Sequence, residues 1–383
     1  MRTTGAYQTT TFGDESVRAF VPYPLPPRNP QRGVEGQVAR WLAEANAAVG
    51  KLSVAAAMVP CADWFLYGFV RKEAVTTSQI EGTQATLQDV VEFEATPKVE
   101  RLADVQEVCN YVDALNYARR EIGRPKGLPL STRLLCAAHK RLMRGIRGAD
   151  KLPGEIRSSQ NWVGGTRPGN ARFVPPPPAD AKAALAALDQ WIHSDDPLPA
   201  LIKAGLAHVQ FETIHPFLDG NGRIGRLLIA LLVEHWKVLS LPILYVSVPL
   251  MRRRDEYYRW LTAVRTDGDW EGWSQFFLEC VCEAADDGVA GAKRIFALLA
   301  EDRQTVLSHD GATVSSMRLF ELLPSHPALT LGRAMQLLET TKPTASKALD
   351  ALQQAGVLRE ITGKQRDRVY VYERYVAALS SGM

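Results

Sequence analysis

Apolar residues along most of this chain recur every three or four positions, the spacing that gathers them on one face of an α-helix. "VARWLAEANAAVGKL" and "VCNYVDALNYARREI" carry that pattern from Gly36 to about Ile122. "GRPKGLPLS" interrupts it, and Ser131 stands as an N-cap for "TRLLCAAHKRLM". Helical spacing resumes in "ADAKAALAALDQWIH" and "PALIKAGLAHVQFETI" and runs on to about Leu299. Between Gly154 and Pro178 the texture changes. The β-prone runs "NWV" and "RFV" flank "GGTRPGNA", which predicts a hairpin with a long loop, closed by "PPPP". Residues 1 to about 34, with "VPYPLPPRNP", read as an irregular extended arm. A linker, "AEDRQTVLSHDGAT", leads to a C-terminal unit from about Val314 that reads helix, helix, turn, helix, then two short strands. The chain is mainly α, with one notable hairpin and no internal repeat.

Composition narrows the class. At 383 residues the chain can hold two or three domains, and 46% hydrophobic with 23% charged residues is ordinary for a soluble globular protein. A net charge of +3 does not by itself impose a nucleic-acid or membrane partner. The five cysteines (Cys61, Cys109, Cys136, Cys280, Cys282) form no C-x-x-C pair, which argues against a disulfide framework or structural zinc and suits a reducing cytoplasm. The N-terminal residues lack the apolar core of a signal peptide. The longest aliphatic run, Leu227 to Val233, falls far short of the roughly 20 residues that span a bilayer. A soluble, cytoplasmic protein without a membrane partner is the expectation.

Chemistry concentrates in "IHPFLDGNGRIGRLLIALL", Ile214 to Leu232. Gly220, Asn221 and Gly222 open a helix, whose first N–H groups are unpaired and carry partial positive charge, so they attract anions. Glycine lets a phosphate approach the backbone closely. Arg223 and Arg226 share one face of the first turn, where they oppose the dipole and repel each other unless a multiply charged anion sits between them. Ile224, Leu227, Leu228, Leu231 and Leu232 cover the other, core-facing side. Together these predict a di- or triphosphate site. Asp219 fits as a Mg²⁺ ligand, because Mg²⁺ beside a nucleotide takes one carboxylate, phosphate oxygens and water. His215 would then act as a base toward an alcohol near neutral pH. Taken singly, the His-Pro is an ordinary loop residue and the glycines an ordinary turn.

"HPFLDGNGRIGR", His215 to Arg226, resembles the signature of Fic-domain proteins, H-P-F-x-[D/E]-G-N-G-R-x-x-R, at every fixed position. The resemblance spans roughly residues 35 to 300. It implies a Fic helical bundle with a β-hairpin flap, and transfer of AMP from ATP to a Ser, Thr or Tyr hydroxyl of a target protein. His215 would be the general base and Asp219 the Mg²⁺ ligand. Gly220, Asn221, Gly222, Arg223, Ile224, Gly225 and Arg226 would form the nucleotide-binding segment, with the arginines on the β- and γ-phosphates. Tyr258, in "DEYYRWL", is similar to the tyrosine that contacts adenosine; otherwise it is an aromatic packed in a helical core. The hairpin between Gly154 and Pro178 resembles the flap that holds a target segment by strand addition.

"TSQIEG", Thr77 to Gly82, reads as a helix end with Gly82 as its stop. Glu81 at a helix C-terminus is as ill-placed by dipole as the arginines at an N-terminus, and pairing with Arg226 would cancel both misfits. The segment resembles the Fic inhibitory motif [S/T]-x-x-x-E-[G/N], which implies autoinhibition by Glu81; a solvated glutamate is the bland alternative.

Ser315 to Leu379 resembles a winged helix-turn-helix, with "KPTASKALDALQQAG" as recognition helix and "GKQRDR" as wing tip. Nine Lys/Arg face six Asp/Glu from Val314 to Tyr375, a modest excess for a DNA binder, and a docking or dimerisation role stays open. The expected domains are 1–122 (N-terminal helices with the inhibitory motif), 123–300 (Fic catalytic domain) and 314–383 (winged helix). The partners are a target-protein hydroxyl, including the chain's own; DNA and a second copy of the chain remain options. Two other functions stay open: a DNA-binding regulator using the Fic-like domain as a nucleotide sensor, and Fic-type de-AMPylation or other nucleotidyl or phosphocholine transfer.

Overall fold

The computed structural model describes residues 2–13, 15–27, 34–58, 62–95, 103–239, 241 and 243–382. The chain opens with a hairpin of β1 (Gly5–Phe12) and β2 (Glu15–Pro22). Helices α1 (Gly36–Ala57), α2 (Ala62–Ile80), α3 (Leu87–Ala95), α4 (Ala103–Gly123) and α5 (Thr132–Leu142) follow. After an irregular segment come α6 (Pro178–Ile192), α7 (Ala200–Ile214), α8 (Asn221–His235), α9 (Ser247–Arg252), α10 (Arg254–Thr266) and α11 (Trp270–Leu307). The chain ends with α12 (Val314–Leu322), β3 (Ala328–Thr330), α13 (Leu331–Leu338), α14 (Lys342–Gln354), β4 (Arg359–Glu360), β5 (Val369–Val371) and α15 (Glu373–Ser380). The mainly helical expectation holds.

Two compact units emerge, one of Met1–Lys51 with Asn110–Ala285, the other of Leu52–Cys109 with Asp286–Met383. In the first, α7 is the central helix. Every residue from Leu201 to Ile214 is buried, as its nearly continuous apolar sequence dictates. It packs against α6, α8, α10 and β2. Ile224, Leu227, Leu228, Leu231 and Leu232 of α8 are fully buried, each contributing about 1.5–3 kcal/mol. The Ser131 hydroxyl caps α5 by accepting from Leu134 N–H at 3.4 Å, as its position before an apolar run predicts.

The first residues are more ordered than their prolines suggest. Gly5 pairs with Pro22 and Phe12 with Glu15, through a turn in which Gly13 takes φ +59°. The two-residue alternation of "SVRAFV" was masked by the proline run that follows, and residues 28–33 of the expected arm lie outside the described residues, as does Cys61. Conversely, the hairpin expected between Gly154 and Pro178 reduces to one antiparallel bridge, Val163 to Phe173, around a short 3₁₀ turn at Pro168–Asn170. Prolines there remove ladder donors, and side chains replace them. Asn170 Oδ1 accepts from Thr166 and Arg167 N–H, each at 3.0 Å. Glu15 of the N-terminal hairpin accepts Gly169 N–H at 3.0 Å and pairs with Arg167. Val17, Ala19 and Val174 form a small core beneath Trp162.

In the second unit, α12, α13 and α14 pack on one another beside an antiparallel sheet of order β3-β5-β4. The two strands expected after α14 are β4 and β5; β3, only three residues long, is a third that the sequence pattern did not signal, and α15 follows β5. Helix α2 belongs to this unit: Lys72 Nζ donates to Ser381 O at 2.9 Å and Tyr375 Oη to Trp64 O at 3.2 Å. A Cβ added at Gly68 would come within 2.3 Å of Leu379. The carboxylate of Asp302, on α11, is buried, accepts from Tyr372 Oη at 2.6 Å and pairs with Arg374. Replacing Ser131 with Ala will remove the α5 cap and lower unfolding stability by about 1 kcal/mol in urea titrations, with the urea dependence unchanged.

Candidate active site

The site is built where α7 stops and α8 starts. His215 is the C-cap of α7 and adopts a left-handed backbone, φ +50°, uncommon for a non-glycine residue. Its carbonyl is fixed by Arg157 Nε at 2.9 Å and Asn161 Nδ2 at 3.3 Å. Asn161 Nδ2 also donates to Phe217 O at 2.9 Å, and Arg157 N–H to Pro216 O at 2.9 Å. Arg157 is 2% exposed; burial lowers its pKa to about 10, which leaves it charged and donating to the carbonyls of His215, Ser159, Pro176 and Ile214. Charge-assisted bonds of this kind are worth about 1.5–3 kcal/mol each.

His215 Nδ1 lies 3.3 Å from the Glu212 carbonyl. A carbonyl only accepts, so Nδ1 carries the hydrogen and Nε2 is the basic nitrogen. The amide of Asn221 closes the loop in both directions: Oδ1 accepts Phe217 N–H and Nδ2 donates to Phe217 O, each at 2.8 Å. Its side chain is thereby committed to the loop, and what Asn221 offers an anion is its backbone N–H. Gly220 takes φ +74°, and a Cβ there would meet Met143 Sδ at 3.0 Å. Gly222 occupies the first turn of α8.

Arg223 and Arg226 are 4% and 1% exposed. The Arg223 guanidinium reaches Met143 Sδ at 3.6 Å and Asp219 Oδ1 at 3.9 Å. Ile224 is fully buried in the core face, and Gly225 serves close packing: a Cβ there would come within 2.3 Å of Glu212 Oε1 and 3.2 Å of His208 on α7. Tyr258 is 39% exposed, with Arg254 stacked 5.4 Å from its ring, so it is not a core aromatic; its neighbour Tyr257 is, at 1% exposed and bonded through Oη to His208 Nε2 at 2.9 Å. Glu81 lies in the second compact unit, just beyond α2, where its N–H bonds Ser78 O at 3.0 Å and Gly82 turns with φ +102°.

Asp219 stands at the loop's mouth. Its Oδ1 accepts Gly220 N–H at 2.7 Å and its Oδ2 pairs with Lys151 Nζ at 3.2 Å. A single carboxylate, 30% exposed and already attracting a cation, suits Mg²⁺ that takes its other ligands from phosphate and water. Sequence reasoning passed over Lys151, Arg157, Asn161 and His139. Arg157 and Asn161 lie in "GEIRSSQNWVGG", which drew notice only for its β-prone end; nothing in sequence marks His139 or Lys151 apart from surface residues.

Residues 129–233 match the Fic/DOC family model and residues 39–120 the Fic/DOC family N-terminal model. Both stretches are thus similar to Fic/DOC sequence, together over somewhat less than half of the chain. A probable protein adenylyltransferase from Aquifex aeolicus is 27% identical over 172 residues, 45% of this chain and 50% of that protein. The protein adenylyltransferase Fic of Drosophila grimshawi is 26% identical over 212 residues, 54% and 40% of the two chains. This chain thus spans half or less of these relatives' length. Among solved structures, a Fic family protein from Desulfovibrio desulfuricans G20 superposes with a TM-score of 0.56 at 22% identity, covering 88% of this chain and 96% of that one. Fic-1 from C. elegans gives 0.51 at 19%, covering 67% and 73%. At such identities the likeness is one of fold.

Behind the loop from His215 to Gly220, His208 is held neutral: burial and the charge of Arg226 lower its pKa to about 3. The unfolded chain protonates it near ~6.5, so the stability it confers is complete above that pH and is lost as pH falls toward 3. Replacing His208 with Asn will flatten the fall of melting temperature between pH 6.5 and 4, by up to about 1.4 kcal/mol of stability per pH unit.

Proposed function

We propose that this chain is a protein adenylyltransferase that moves AMP from ATP to a Ser, Thr or Tyr hydroxyl, on a target protein or on itself. The observation that carries the reading is the join of α7 and α8: an imidazole whose Nδ1 is tied to Glu212 O, and six residues on, a glycine-led helix start with two buried arginines. His215 Nε2 takes the proton of the incoming hydroxyl. The oxygen then forms a bond to the α-phosphorus as the bond from that phosphorus to the bridging oxygen breaks, and pyrophosphate leaves with the electron pair. The α8 amides and the Arg223 and Arg226 guanidinium groups hold the β- and γ-phosphates, fixing the line of attack. Asp219 would hold Mg²⁺, which supplies neutralisation of the phosphate charge. Tyr258, exposed on α10, is the candidate contact for adenosine. The bridge at Val163 and Phe173 offers a strand edge for the target segment.

Glu81 acts as a brake on this chemistry. It ends a helix whose dipole disfavours a carboxylate there, so a guanidinium is its favourable partner, and Arg226 is the one the motif logic assigns. ATP would bind with its γ-phosphate displaced and its α-phosphate out of line. With labelled ATP and Mg²⁺, Glu81→Gly will raise self-labelling at least about tenfold over the unmodified chain. Adding His215→Ala will cut it by at least about 100-fold, the contribution of a general base. Intact-mass measurement will read +AMP on the protein; an unlabelled Glu81→Gly variant would overturn the transfer reading.

We further propose that the C-terminal part of the second unit is a winged helix-turn-helix and a candidate for duplex DNA, with a docking or dimerisation role as the alternative. In its favour, α14 begins with Lys342 and carries Lys347, both exposed, and the β4–β5 turn exposes Lys364, Arg366 and Arg368. Random duplex will shift in native gels at low salt and be released as salt rises, with Lys364→Ala and Arg366→Ala each reducing the salt slope by about one. No shift at low salt would make the module a docking domain.

A further inference from the structure

His139 lies on α5, outside the signature, and is 1% exposed. Both of its ring nitrogens are used. Gly154 N–H donates to Nδ1 at 2.8 Å, which makes Nδ1 an acceptor and puts the ring hydrogen on Nε2. Nε2 then donates to the Asp219 carbonyl at 3.0 Å. The ring lies flat on Phe217, centroids 3.9 Å apart and planes 5° from parallel. A Cβ at Gly220 would stand 3.4 Å from His139 Nε2, so the loop rests directly on the imidazole.

From this geometry we infer that His139 is a positioning residue: it fixes the backbone of Asp219, and so the direction of the carboxylate that would take the metal, and ties that backbone to Gly154, where the segment leading to Val163 begins. Asp219 has its side chain 30% exposed, and among the described residues a 2.7 Å bond from Gly220 N–H is what steadies it locally apart from cations. Its carbonyl is the handle by which the protein interior sets its orientation. Outer-sphere bonds of this kind are worth about 10–100-fold in metal affinity. The inference rests on the assignment of Asp219 as the Mg²⁺ ligand.

The test separates metal binding from nucleotide binding. His139→Phe keeps an aromatic ring against Phe217, slightly larger than the imidazole, while removing both hydrogen bonds; His139→Gln keeps a donor and an acceptor on a flexible arm. Binding of an α,β-methylene ATP analogue is measured by calorimetry with and without Mg²⁺, alongside backbone hydrogen exchange. In His139→Phe the analogue will bind without metal within about twofold of the unmodified chain, while the Mg²⁺ needed for half-maximal enhancement rises at least tenfold. Gly154 and Gly220 amides will exchange faster, and the α7 and α8 cores will not. His139→Gln will recover part of the Mg²⁺ affinity, and it serves as the reading if the Phe variant lacks a cooperative melt. An unchanged Mg²⁺ requirement in a folded variant, or an equal loss of metal-free binding, would overturn the assignment of His139. Failure of the unmodified chain to bind the analogue at all would instead sink the nucleotide reading on which it rests.

Discussion

The candidate site depends on a polar clamp around six residues. Between the last turn of α7 and the first of α8, the backbone must reverse in a buried place where water cannot satisfy it, and each unpaired carbonyl or N–H there would cost about 1–3 kcal/mol. Asn221 answers from within the loop, Asn161 and Arg157 from the preceding segment, and His139 from below. Their combined bonds hold His215 at a positive φ it would not otherwise keep. An imidazole, a carboxylate and a helix start are thereby held within one short stretch of chain.

The same bonds explain why the segment from Gly154 to Pro178 can be nearly free of regular structure. Its first residues are anchored to the loop through Arg157 and Asn161, and its last through Val174 O, which accepts Phe20 N–H at 3.0 Å. The N-terminal hairpin contributes Glu15 to its far turn. Order there comes from side chains reaching in at both ends, which leaves the Val163 stretch at an edge rather than within a sheet.

Helix α2, which ends just before Glu81, is part of the unit that contains the C-terminal module, held to its last helix by Lys72, Gly68 and Tyr375. Glu81, just beyond that helix, therefore shares a unit with the C-terminal module, whereas Arg223 and Arg226 belong to the other unit.

Several of these features were legible in the one-dimensional pattern. The period of α5 and its Ser131 cap, the burial of one face of α8, the stop at Gly82 and the clustering of His215, Asp219 and the arginines all follow from local rules, since each depends on neighbours three or four residues away. The hairpin of residues 5–22 was hidden by the prolines after it, and β3 was too short to signal. What the chain's order alone could not decide was which amides and rings would meet across sequence gaps. Asn161 to Phe217, Arg157 to His215 and His139 to Asp219 are contacts over 56 to 80 positions. Likewise, Gly225 and Asn221 look like phosphate ligands in the motif, but packing assigns one to the approach of α7 and the other's side chain to closing a turn. Local residues determined the chemistry on offer; only tertiary burial, which makes an unpartnered polar group costly, decided which of them hold the others still.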